Sequence, residues 1–158
     1  MTTVQRAAED DMAEIMALVS SVFTGEQSIP RELIPIPAEN NPYWWCIRQE
    51  GRIAAAVALY RDGEEWHMGR LAVAPGLRGS HIATRLLETA IPAAFATGIN
   101  VIRTDSRDAT VHILRKFGGE IAGDTGVFFN GNITPVVLKK ENLPPEFLPA
   151  ANTPVLCL

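Results

Sequence analysis

Between Tyr43 and Ala74 three runs rich in aromatic and aliphatic residues follow one another almost without a gap. Tyr43 to Gln49 and Ile53 to Tyr60 flank Glu50-Gly51-Arg52, and Asp62-Gly63 separates the second run from Glu65 to Ala74. Turn residues between such runs predict three antiparallel strands in a meander. Pro75-Gly76 closes the third, and the chain enters a long helical pattern through Leu77-Arg78-Gly79-Ser80-His81-Ile82-Ala83. Ile82, Leu86, Ala90, Ala93 and Ala94 supply its buried stripe. A strand that feeds a helix through a small-residue loop collects free backbone N–H groups and the positive end of the helix dipole at one spot. That is a ready anion site. The same residues also read as a tight turn and nothing more.

The surrounding segments build a mixed sheet on this centre. Thr2 to Ala7 alternates weakly, as a strand does, and Asp11-Met12-Ala13-Glu14 has the D-x-x-E form of a helix start, followed at helical spacing by Met12, Ile15, Met16, Val19 and Val22. Pro30, Pro35, Pro37 and Pro42 leave room between Gly25 and Pro42 for at most one short helix, near Arg31 to Leu33, in a segment read as irregular and exposed. Pro92 is expected to kink the long helix and Gly98 to end it. Asn100 to Asp105 reads as a strand, and Asp108 to Phe117 as a helix stopped by Gly118-Gly119. Glu120 to Asn130 with Ile133 to Lys140 reads as a hairpin around Gly131-Asn132. Residues 1–140 are one domain on this reading, and 141–158 a Pro-rich C-terminal extension, extended and packed on its own core or on a second copy in a homodimer.

Composition narrows the function. A chain of 158 residues with 47% apolar side chains suits one globular domain. With 14 basic against 18 acidic side chains the net charge is -4, which gives no general attraction to nucleic acid. No run resembles a signal peptide or spans a bilayer, so the expectation is a cytoplasmic protein without membrane contact. Cys46 and Cys157 lack zinc spacings and read as buried small hydrophobes, so no metal is expected. The loop has neither the Gly-Lys-Ser/Thr of a P-loop nor the G-x-G-x-x-G of dinucleotide binding.

The segment Arg70-Leu71-Ala72-Val73, then Pro75, Arg78-Gly79-Ser80-His81-Ile82-Ala83 and Leu86-Leu87, resembles the GNAT superfamily of acyl-CoA-dependent N-acyltransferases. In that family a Leu-Ala-Val-like strand end is followed by Q/R-x-x-G-x-G/A and a helix, and Arg78 and Ala83 match the first and last signature positions. The resemblance covers Thr3 to Lys140 in element order. It implies an α/β fold with a mostly antiparallel central sheet and helices on both faces. It also implies an acetyl or short acyl group moved from acetyl-CoA, as co-substrate, directly to a primary amine on a small molecule or peptide. The backbone of Leu71, Ala72 and Val73 would pair with the pantetheine arm. N–H groups from Gly79, Ser80, His81, Ile82, Ala83 and Thr84 would hold the pyrophosphate, with Arg78 adding charge. The family's central Gly is His81 here, a substitution that costs little at negative φ and strains the loop at positive φ.

Acyl transfer needs a neutral amine, a donor for the oxyanion and a proton for the thiolate. By the family's pattern the donor is the N–H of Val73. Residues of one parity share a face on a strand, so His67, Gly69, Leu71 and Val73 point the same way. His67 then reads as a general base, with Glu64 and Glu65 nearer the turn as alternatives, or as an exposed strand histidine beside Trp66. Relatives place a Tyr acid where this chain has Leu114, so protonation of the thiolate falls to water, and a non-catalytic acyl-CoA-binding or regulatory module is the alternative. Ser106, with Asp105 and Arg107, ends a strand beside the implied pantetheine arm and reads as a contact to it, while Ser106 or Asp108 also reads as a helix N-cap. His112 reads as structural or exposed. The acceptor would enter between Phe23 to Pro42 and Phe128 to Ile133, where Trp44 and Trp45 read either as substrate contacts or as core.

Overall fold

Alternation along the meander sorts its side chains into two cores. In the computed structural model, which describes residues 3–148, β2 (Tyr43–Gln49), β3 (Arg52–Asp62) and β4 (Glu65–Val73) pair antiparallel, as predicted. Val57, Leu59 and Met68 face one core, with Leu86, Ile91 and Phe95 of α2 (Ile82–Phe95) and Leu114 of α3 (Asp108–Leu114). Ala56, Ala58 and Ala72 face the other, against Ile15 and Val19 of α1 (Met12–Ser20). Each fully buried Leu or Ile contributes roughly 1.5–3 kcal/mol of burial, and small alanines on the second face let α1 lie close to the sheet.

The sheet is completed by β1 (Val4–Arg6), β5 (Val101–Ser106), β6 (Glu120–Ile121), β7 (Gly126–Phe128) and β8 (Gly131–Lys139), in the order β1-β2-β3-β4-β5-β8-β6, with β7 also on β8. Only β4 and β5 run parallel, which is why a crossover helix, α2, lies between them. The fold is the mixed, mostly antiparallel α/β sheet expected, with helices on both faces. Pro92 lies inside α2 without ending it.

Several expectations are corrected. Asp11 does not cap α1. Its Oδ2 accepts the Ala8 N–H at 2.8 Å, its Oδ1 takes Arg48 Nη2 at 2.7 Å, and Glu14 accepts the Ile53 N–H at 2.6 Å and Arg48 Nη1 at 3.1 Å. The two acids thus fasten α1 to the β2–β3 turn. α1 runs on through a wider helical turn, Ser21–Glu26, and the Pro-rich stretch after it holds two short 3-10 turns with Ile29 and Ile34 buried. The last hairpin turns at Phe129-Asn130, because Phe128 pairs with Gly131 and Phe129 takes a φ of 55°. The start of the C-terminal extension is two short turns, 140–142 and 145–147, with Leu143 buried and the Phe147 ring 4.6 Å from that of Phe117. Cys46 is buried as expected; Cys157 lies outside the described residues. Among the described residues no helix is long and apolar enough to cross a membrane.

Candidate functional site

β4 and β5 are paired at Trp66 with Ile102 and at His67 with Arg103, and then part. Beyond that point β4 continues to Val73 and β5 to Ser106, so a wedge opens between two parallel strands. A cleft of about 1150 Å³ fills it, lined by Leu71, Val73, Leu87, Ile113 and Leu114 along its inner wall. The Ala74 N–H donates to Ala54 O at 2.8 Å. Backbone groups alternate sides along a strand, so the N–H and C=O of Val73 face away from β3 and into the wedge. Arg78 Nη2 reaches Val73 O from that side, at 3.1 Å.

The loop after β4 delivers α2 to the same opening. Gly79 and His81 take φ of 85° and 63°, so the position where the family's pattern has Gly does need a left-handed backbone, and His81 bears the strain. The first helical acceptor goes to Arg85, whose N–H meets His81 O at 3.0 Å. The N–H groups of Ile82, Ala83 and Thr84 therefore have no partner inside α2, and these three residues line the cleft with Arg78, Gly79 and His81. Ser80 turns its hydroxyl back to Leu77 O and is not on the lining.

Arg78 is not a free cation. Its guanidinium forks onto Glu26, with Nη1–Oε1 at 2.7 Å and Nη2–Oε2 at 2.6 Å. This contact holds the Glu26 carboxyl below the usual range and raises Arg78. Ala72 also stands apart, fully buried on the α1 face and paired with Ala56. Ser106 lines the cleft, but its hydroxyl meets Thr104 Oγ1 at 2.9 Å and does not cap α3, whose cap position is Arg107. Leu114 is buried on the cleft wall, and His112 is exposed on its rim. Trp44 and Trp45 are core; the aromatic rings that line the cleft are Phe23, Tyr60 and Phe128.

His67 does not share a face with Leu71 and Val73. Ala56 pairs with Ala72 while Ala58 pairs with Gly69, so Val57 stands opposite both Arg70 and Leu71. Arg70, at a φ of 58°, is the extra residue of a β-bulge. The insertion shifts parity: His67 opposes Tyr60 and stacks on it at 5.7 Å, on the α1 face, whereas Val73 opposes Ala55 on the α2 face. His67 Nε2 is closed off from solvent without a hydrogen-bond partner, 3.6 Å from Glu65 Oε1, and His67 is not on the cleft lining. Gly69, on the same face, sits under Tyr60, whose hydroxyl would lie 3.4 Å from a Cβ there.

Two arginines on the lining hold loops of the cleft in place: Arg70, to which sequence reasoning assigns no role, and Arg107, expected only as a contact to the pantetheine arm. Arg70 donates from Nε to Ile34 O at 2.8 Å and from Nη2 to Leu33 O at 3.2 Å. Arg107 donates from Nε to Gln27 Oε1 at 3.0 Å and from Nη1 to Phe128 O at 2.7 Å. Gly69, an isolated glycine inside the strand pattern, is the sequence sign that could have found the bulge, although the extra residue itself is an arginine.

The sequence profile of the acetyltransferase (GNAT) family matches residues 12–119. No curated protein sequence matches the chain. Among solved structures, the chain is similar to ElaA from Escherichia coli at 14% identity and a TM-score of 0.74, over 88% of this chain and 100% of that one. An acetyltransferase of the GNAT family from Streptococcus pneumoniae aligns at 19% identity and 0.72, over 88% and 99%. The ribosomal-protein-S18-alanine N-acetyltransferase from Escherichia coli aligns at 15% and 0.69, over 99% and 100%. At these identities the structural likeness speaks for the fold.

Proposed function

The chain belongs to the acetyltransferase (GNAT) family, and from that membership we propose that it moves an acetyl or short acyl group from acyl-CoA directly to a primary amine. The observation that carries this reading is the wedge itself: two parallel strands part and the unsatisfied N-terminus of α2 opens onto the gap. Backbone groups of Leu71 and Val73 pair with the amide-bearing arm as a missing strand would. N–H groups of the 79–84 loop take the pyrophosphate, where the helix dipole favours negative charge. Leu87, Ile113 and Leu114 exclude water from the thioester.

The Val73 N–H donates to the thioester oxygen as charge develops on it, and a fixed backbone donor of this kind is worth roughly 3–4 kcal/mol. The amine attacks the carbonyl carbon, the C–S bond breaks, and the thiolate leaves without a side-chain acid because Leu114 offers none. A thiolate with an ordinary pKa of about 8.5 is a good leaving group. The amine proton passes to water in the cleft mouth, since His67 is not on the cleft lining.

The second reading, a non-catalytic acyl-CoA-binding module, is favoured by the lack of an acid at Leu114. Free-thiol release from acetyl-CoA with a pooled amine library decides between them. Acceptor-dependent release supports the enzyme, and tight CoA binding without release supports the module.

A further inference from the structure

Two arginines line the acceptor end of the cleft, and neither has an acid. Arg70 and Arg107 give their hydrogen bonds to backbone carbonyls and to the Gln27 amide. Among the described residues no carboxylate lies within 4.0 Å of either guanidinium. Other charged pairs in the fold are closed: Arg48 has Asp11 and Glu14, Arg78 has Glu26, and Arg103 has Glu65. Arg107 Nη2 is shut off from solvent and has no acceptor. A shielded N–H without an acceptor is costly, and because Nε and Nη1 are already taken by Gln27 and Phe128, a carboxylate reaching Nη2 would meet it through one oxygen after a small turn of the side chain.

Apolar side chains line the same cleft, among them Phe23, Ile29, Leu33 and Phe128, while Glu26, one of its acids, is already held by Arg78. Such surroundings suit a singly charged carboxylate better than a dianionic phosphate, whose desolvation costs more. The overall net charge of -4 repels anions, so these arginines are a local exception that long-range attraction does not explain. We propose that the acceptor is a small amine that carries a carboxylate on an apolar body, an apolar amino acid being the simplest case, with Arg107 and Arg70 binding the carboxylate. This rests on the acyl-transfer reading for the amine and on the two arginines for the anion.

The test is a binding measurement that does not require turnover. CoA-loaded protein is titrated calorimetrically with N-acetyl-leucine, N-acetyl-leucinamide and an N-acetyl-leucyl-glycine dipeptide. The expected result is binding of the N-acetyl amino acid at least about tenfold tighter than its amide, since the charged carboxylate makes the stronger hydrogen bond to a guanidinium. Arg107→Gln should reduce that preference while CoA affinity is kept, Arg70→Gln should reduce it too, and Arg107→Lys should restore only part of it. Equal affinity of wild type for acid and amide, or no binding of either, overturns the proposal. Tighter binding of the dipeptide overturns the small-acceptor part. Because wild type alone gives the central comparison, a variant that fails to fold does not rescue the idea. Failure of the acyl-transfer reading shows separately, as loss of CoA binding or of thiol release with every amine.

Discussion

Arg78 and Glu26 are 52 positions apart and meet in a two-pronged ion pair, at 2.7 and 2.6 Å, that joins the loop before α2 to the wide turn after α1. Two walls of the cleft are tied by this one contact. Because both side chains are substantially exposed, the pair adds at most about 1 kcal/mol to stability, and its larger effect is on charge. Glu26 neutralises the cation nearest the anion loop.

Removing that acid should therefore favour CoA. Glu26→Gln is expected to bind CoA several-fold more tightly at low salt, with the gain shrinking as ionic strength rises. Arg78→Gln is expected to weaken binding several-fold. Calorimetric titration at two salt concentrations checks both, and unchanged affinity in both variants would show that this guanidinium lies outside the reach of the phosphates.

His81 holds the left-handed backbone that the loop requires at the start of α2. A non-glycine residue there costs about 1–2 kcal/mol, and glycine restores roughly 0.5–1 kcal/mol of that cost to the unfolded chain as entropy. His81→Gly should thus leave stability equal or raise it by up to about 1 kcal/mol, a rise of roughly 2–4 °C in Tm at most, with CoA affinity kept. His81→Val, branched at Cβ, should lower Tm and loosen CoA together. Loss of CoA affinity in the Gly variant would instead assign the imidazole a direct contact.

The clasp on Arg48 makes a pH prediction. Its hydrogen bond to Asp11 lowers that carboxyl, and the Ile53 N–H chiefly, with Arg48, lowers Glu14. Groups whose folded pKa lies below the unfolded value stabilise the fold above the unfolded pKa, about 3.9 to 4.3 here, and lose that contribution as pH falls through the folded pKa. Arg48→Gln should therefore lower the urea midpoint most above pH 5 or so, and the gap to wild type should close as the acids protonate on the way to about pH 2. A gap independent of pH would mean that Arg48 acts by packing alone.

The strands of the meander were legible because turn dipeptides and alternating burial repeat the same period, and the loop that opens α2 because Pro75, Gly76 and Gly79 stop the strand just before a helical stripe begins. Three features escaped, each for a physical reason. Asp11 and Glu14 have the residue types of a cap, and only the tertiary position of Arg48 and Ile53 diverts them. The turn at Phe129-Asn130 sits beside a Gly-Asn pair that has better turn chemistry, so strand register on β5 and β8, a distant interaction, sets it. The bulge follows Gly69, a sign easily read as a plain strand position, and its extra residue is an arginine whose left-handed backbone is supported by anchoring of the guanidinium on Leu33 and Ile34.

That bulge decides what to expect of His67. A histidine on the Val73 face would take the amine's proton and contribute roughly 10² to 10⁴ in rate. On the α1 face, stacked on Tyr60 and off the cleft lining, it has only packing to offer. His67→Gln keeps the size and some hydrogen bonding but cannot act as a base near neutral pH. Turnover in this variant should stay within about threefold of wild type, with the acidic limb of kcat/KM unmoved, while His67→Ala lowers Tm by loosening Tyr60. The pH–rate profile separates the two roles, because packing losses scale the whole curve and loss of a base removes one limb of it. A fall of a hundredfold or more in kcat for the Gln variant, with CoA affinity intact, would place His67 in the proton path after all, acting through Tyr60.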